Sequence, residues 1–234
     1  MKTYLVIGAT GGIGGETARL LAKQGHKVAI AGRNVDKLNT VARELGSSCV
    51  ASVVIGDDMT MIGPLIQLDG IVYAIGAERI MPLGLEKRDG LSMQWEHGPG
   101  AFIVLVSGLL GRLNSGASIV AVTSAAAHRG VAGMVAYSAA KAAMDGAVRA
   151  MAIELAPRKI RVNAVAPGAV RTAMHDRIMK RLTDMGRVAY EEKHPLGVGH
   201  ADEVAEPIAF LLSDAARWIT GVTLPVDGGL LAKG

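Results

Sequence analysis

The sequence predicts an α/β domain with helices packed on a sheet, and three observations point there. Short apolar runs bounded by glycine turns alternate with segments of helical period. Hydrophobic residues make up 50% of the chain, with 30 glycines and only 3% aromatics; this suits close approach of helix and sheet backbones better than a sandwich with aromatic layers. The 234 residues suffice for one large domain and are short for two. Neither repeat, low-complexity tract nor linker divides residues 1–234.

Residues 3 to 7 read as a buried strand that runs into Gly8-Ala9-Thr10-Gly11-Gly12-Ile13-Gly14. Ile13, Thr17, Leu20 and Leu21 then recur at helical spacing until Gly25 stops the helix. Strand, glycine turn and helix in this order form a phosphate site, because glycines let the backbone approach and a helix N-terminus favours an anion. The spacing is Gly8-x-x-x-Gly12-x-Gly14, with Thr17 where the G-x-G-x-x-G pattern would need its last glycine.

A second strand over residues 27 to 31 ends in Gly32-Arg33-Asn34. An acid there would bind a ribose hydroxyl and select NAD; instead Arg33 is placed for a 2′-phosphate, pointing to NADP(H). A third strand, about 51 to 55, ends in Gly56-Asp57-Asp58. The helix that should follow is cut short, since only residues 59 to 68 precede the next strand at 70 to 74. Residues 78 to 100 read as irregular. Residues 101 to 110 are apolar all round, so a helix there needs cover from the sheet and from another subunit.

The apolar run 119 to 123 closes on Ser124, at a strand end where α/β sheets place ligands. Tyr137 and Lys141 are i and i+4 neighbours if residues 137 to 156 form a helix. An ammonium beside a phenol favours the phenolate, which would fit Tyr137 for proton exchange between an alcohol and a carbonyl. A strand over 160 to 166 ends in Pro167-Gly168-Ala169-Val170-Arg171-Thr172. In residues 173 to 193, Met174, Ile178, Leu182 and Met185 make one apolar stripe, read as an amphipathic lid spanning about 171–200. A helix over 202 to 212 and a strand over 222 to 226 complete the chain.

Several classes are set aside. The formal charge is +4 and the pI about 9.3, yet the basic residues are scattered with no aromatic-interleaved stripe, so nucleic acid is not expected. Cys49 is alone and excludes an internal disulfide. The N-terminus reads without a signal peptide, and no apolar run reaches ~18 residues; a cytoplasmic protein without membrane attachment is expected. The six histidines show no paired spacing, so no metal site is expected.

Taken together the residues resemble the short-chain dehydrogenase/reductase family over nearly the whole chain. The matches are the Gly8/Gly12/Gly14 turn, Ser124, Tyr137-x-x-x-Lys141, Pro167-Gly168-x-x-x-Thr172, and Thr220-Gly221 followed by Val226-Asp227-Gly228-Gly229. The resemblance implies a Rossmann-type, doubly wound, seven-stranded parallel sheet with helices on both faces, in a homodimer or homotetramer. It implies Tyr137 as acid/base, Ser124 orienting the substrate oxygen, and Lys141 lowering the Tyr137 pKa and holding the nicotinamide ribose. Cofactor contacts fall by resemblance on Gly8, Thr10, Gly12, Ile13, Gly14, Arg33, Asn34, Asp57 (toward the adenine), Ala74, Gly76, Tyr137, Lys141, Pro167, Gly168, Val170 and Thr172.

Three departures stand out. Ile7 replaces the threonine usual before the first glycine. Tyr73-Ala74-Ile75-Gly76 replaces Asn-Asn-Ala-Gly. His97 aligns with the asparagine of the catalytic tetrad. The leading expectation is an NADP(H)-dependent oxidoreductase interconverting a ketone and a secondary alcohol. A catalytically silent dinucleotide-binding sensor or scaffold, and a lyase or isomerase on the same fold, are the alternatives. Small apolar side chains around the expected pocket, with no anchoring charge pair, suggest a compact hydrophobic ketone or alcohol.

Overall fold

A computed structural model describes residues 1–56, the backbone of 61–62, and residues 66–233. Its strands are β1 Thr3–Ile7, β2 Lys27–Gly32, β3 Cys49–Ile55, β4 Met61–Ile62, β5 Leu68–Tyr73, β6 Leu113–Val122, β7 Arg161–Pro167 and β8 Thr223–Val226. The helices are α1 Gly12–Lys23, α2 Val35–Leu45, α3 Arg88–Trp95, α4 Ala101–Leu109, α5 Val135–Leu155, α6 Ala173–Met179, α7 Asp184–Glu191 and α8 Ala201–Leu212. The sheet order is β4-β3-β2-β1-β5-β6-β7-β8. Among the described residues seven strands are parallel, and β4 adds a two-residue antiparallel edge on β3.

This is the expected doubly wound architecture. Strand order reverses between β1 and β5, and a crevice opens outside the carboxyl ends of the strands at such a switch point. Alternation along β1 divides the core. Tyr4 and Val6 face α1, α2 and α8 in one cluster, whereas Leu5 and Ile7 face α4 and α5 in the other. All four are buried.

Three expectations are corrected. The segment 78–100 is not irregular throughout: α3 occupies Arg88–Trp95, followed by a π-type turn over Glu96–Gly100 with Gly98 off helical geometry and Pro99 inside. Where a shortened helix was expected after β3, the backbone of Met61–Ile62 pairs as a strand; Asp57, expected at the adenine, lies outside the described residues. The apolar stripe of residues 173 to 193 is divided between α6 and α7, and Met185 is exposed rather than facing the cleft. No helix among the described residues is long and apolar enough to cross a membrane.

Candidate active site

The carboxyl ends of β1, β5, β6 and β7 open on one cleft of about 470 Å³. Its floor is the glycine turn. Gly8 adopts φ +90°, and a Cβ there would stand 2.7 Å from the Ala74 carbonyl oxygen, so only glycine lets β1 and β5 come this close. A side chain on Gly12 would meet the Thr172 methyl at 2.5 Å, and one on Gly14 would strike the Gly8 carbonyl oxygen. Gly11 caps α1 with no side-chain hydrogen bond. The first-turn N–H groups of α1 therefore lack intrahelical acceptors, and Gly12, Ile13 and Gly14 line the cleft. The turn thus suits the pyrophosphate of a dinucleotide.

Arg33 and Asn34 are exposed and do not line the cleft. Asn34 caps α2 instead, its side chain accepting the Lys37 N–H at 2.8 Å. Lys37, one turn further on, is the cation on this part of the cleft wall. Lys37 is the third residue of α2, three positions past the Asn34 cap, so it stands about one turn on along the same side of the helix.

The other end of the cleft gathers Ser124, Tyr137 and Lys141. Ser124 follows β6 in extended backbone, with its hydroxyl accepting the Ala126 N–H at 3.2 Å. Tyr137 is buried, and burial pushes its phenol above the ordinary value. The Ser124 hydroxyl, hydrogen-bonded to the phenol, pulls part of that back, while Tyr190 and Glu78 push it further up. Lys141 is 5% exposed and donates to the Val122 carbonyl at 2.9 Å. Its Nζ lies 5.9 Å from the Tyr137 ring centroid. Burial lowers the Lys141 pKa to about 8, against a partial opposing pull from Asp145. Burial thus acts on both groups, raising the Tyr137 phenol and weakening the Lys141 ammonium. Gly76 makes room for Lys141, since a Cβ there would sit 3.1 Å from Nζ.

His97 sits behind this group on the π-type turn. With Gly76, Gln94 and Lys141 it lines a second cavity of about 10 Å³, the size of one water. Its Nδ1 is buried with no partner among the described residues. Lys141 borders both cavities, so the fold brings His97 and Lys141 together although 44 positions of sequence separate them. Tyr73 holds the turn in place: its hydroxyl donates to the His97 and Gly98 carbonyls, each at 3.3 Å. The side chain that replaces the family's asparagine thus still fastens β5 to the segment carrying His97.

Sequence reasoning missed the polar wall of the cleft. Arg177 on α6 grips Glu78 through Nε and Nη2, the latter at 2.8 Å from Oε2, and the carboxylate is held below its usual range by that bond. His175, Tyr190 and His194 also line the cleft. The Tyr190 ring lies 6.0 Å from His175 and 5.9 Å from His194, centroid to centroid. The expectation of apolar walls with no charge pair is corrected accordingly. One signal was available: of only four tyrosines in the chain, one falls in the charged segment, at position 190.

A family model described as enoyl-(acyl carrier protein) reductase matches residues 8–231. The chain is 33% identical to the 3-oxoacyl-[acyl-carrier-protein] reductase FabG of Rickettsia conorii, covering 98% of this chain and 97% of the relative. A solved short-chain dehydrogenase/reductase family protein superposes with a TM-score of 0.83 at 30% identity, covering 99% of this chain and 97% of its own. An NADPH-bound short-chain oxidoreductase of Pseudomonas aeruginosa PAO1, described as containing an atypical catalytic center, has a TM-score of 0.87 at 27% identity, covering 98% and 96%.

Proposed function

The chain belongs to the short-chain dehydrogenase/reductase family and is an oxidoreductase; from this premise we propose that it reduces a ketone to a secondary alcohol with NADPH. The observation that carries the reading is the convergence of Ser124, Tyr137 and Lys141 on the same cleft as the glycine turn. The 3-oxoacyl-[acyl-carrier-protein] named for the Rickettsia relative is the first substrate to try.

NADPH, when bound, supplies the hydride. The turn Gly8–Gly14 and the α1 N-terminus would hold its pyrophosphate, Lys37 with the exposed Arg33 would meet the 2′-phosphate, and Ala74, Gly76, Pro167, Gly168, Val170 and Thr172 would border the rest. Ser124 and Tyr137 hydrogen-bond the carbonyl oxygen, and Tyr137 gives it a proton as the alcohol forms. A high phenol pKa suits this direction, because the proton stays on Tyr137 until an alkoxide develops. Lys141 then restores it, drawing on solvent through the one-water cavity and His97, whose imidazole both donates and accepts. Residues 171–200 close over the substrate. The exposed Ile103, Val104 and Ile153 on α4 and α5 support assembly into a homodimer or homotetramer, in the cytoplasm.

Tyr137→Phe tests the reading. It should lose about 10²–10⁴-fold in turnover while NADPH affinity, followed by nicotinamide fluorescence, stays near wild type. A variant retaining more than about a tenth of the activity would exclude Tyr137 as the proton donor.

A further inference from the structure

The wall formed by α6, α7 and the residues after α7 carries hydrogen-bonding capacity that the reduction step does not use. His194 is 5% exposed, and its Nε2 accepts the Ala169 N–H at 2.9 Å. A neutral imidazole that accepts at Nε2 carries its proton on Nδ1. That Nδ1 is buried and has no partner among the described residues. His175, 6% exposed, likewise holds a buried Nε2 without a partner. Between the two imidazoles lies Tyr190, which lines the same cleft as Tyr137.

Buried donors are rarely left unpaired, and a cleft that offers them favours a ligand bringing an acceptor. The donors are uncharged, which suits a carbonyl or ester oxygen. We propose that Tyr190 and His194, steadied by His175, form a subsite for a second, uncharged oxygen of the substrate, apart from the oxygen held by Ser124 and Tyr137. The protein then selects ketones that carry a second carbonyl, such as oxo esters and oxo thioesters, over simple ketones. This rests on the ketone-reductase reading and adds specificity to it.

The test compares ethyl 3-oxobutanoate with 2-hexanone in the wild-type enzyme and in Tyr190→Phe, which keeps the ring contacts and removes the hydroxyl. His194→Ala and His194→Gln follow; glutamine restores an acceptor for Ala169 and a donor for the substrate. Wild type should prefer the oxo ester by about 10-fold or more in kcat/KM. Tyr190→Phe and His194→Ala should raise KM for the oxo ester about 10-fold with kcat nearly unchanged, leave 2-hexanone unaffected, and be partly rescued by His194→Gln. A structural role alone would weaken both substrates together, and that result overturns the subsite. Equal wild-type kcat/KM for the two substrates overturns it too, while leaving the reductase reading intact. Calorimetric binding of ethyl 3-hydroxybutanoate and 2-hexanol to the NADP⁺-loaded protein gives an answer independent of turnover. Equal loss of affinity for both alcohols in Tyr190→Phe rejects the proposal even if neither ketone is reduced.

Discussion

Lys141→Met is expected to make the protein more stable at neutral pH while removing its activity. The side chain is 5% exposed and its pKa falls from 10.5 to about 8 through burial. A lysine whose folded pKa is depressed binds fewer protons folded than unfolded, so stability rises as pH climbs from the folded toward the unfolded value. At pH 7 the ammonium is charged in both states, and burying it costs about 3 kcal/mol; by pH 9.5 that cost falls to about 1 kcal/mol. Methionine has a similar length and no charge to desolvate. Losing the 2.9 Å bond leaves the Val122 carbonyl oxygen without this donor, which returns about 1 kcal/mol of the gain. The variant should therefore be about 2 kcal/mol more stable than wild type at pH 7, an increase of several degrees in Tm. The advantage should vanish near pH 9.5. Thermal unfolding of both proteins at pH 7, 8, 9 and 9.5 reads the difference directly. A variant less stable at pH 7, or a difference that does not change with pH, would refute the argument that burial weakens this ammonium.

Other expectations follow from the same geometry. Lys37→Ala should reduce the preference for NADPH over NADH by about 10-fold or more, as befits a lost charge-assisted bond, and Arg33→Ala should do less; titrating each with both cofactors ranks them, and a larger effect from Arg33 would restore it as the main phosphate ligand. His97→Ala should slow turnover several-fold with cofactor affinity unchanged, whereas His97→Asn should keep the rate; wild-type rates in both would remove His97 from proton transfer. Tyr73→Phe should cost about 1 kcal/mol in denaturant unfolding by freeing the His97 and Gly98 carbonyls, and a neutral result would show that those 3.3 Å bonds contribute nothing net.

What could be read in advance was local. The Gly8–Gly14 turn, the Ser124 strand end and the Tyr137–Lys141 pair each sit within one element or one junction, where spacing fixes geometry. Arg33 and Lys37 show the limit: both were visible, yet which one meets the cleft depends on how Asn34 caps α2. The helix α3 escaped notice because Gly90 and its charged residues obscure the apolar period, and packing beside α5 settles it. The ring group of His175, Tyr190 and His194 depends on how two short helices fold back across the strand ends. Nothing in the period of residues 173 to 194 encodes that return. The charge of Lys141 was legible in its spacing from Tyr137, but the burial that acts on both groups was not.

The grip of Arg177 on Glu78 has a kinetic consequence. It joins two segments 99 positions apart, and both residues border the cleft. A molecule passing between them must first part a guanidinium from a carboxylate that is only 7% exposed. The exposed arginine side is open to counterions, so added salt loosens the pair from one flank. Traffic through this opening should then quicken with ionic strength while the bond-making step keeps its rate. Under conditions where release governs turnover, the enzyme would run faster in more concentrated salt, against the usual trend for a cationic protein meeting an anionic coenzyme.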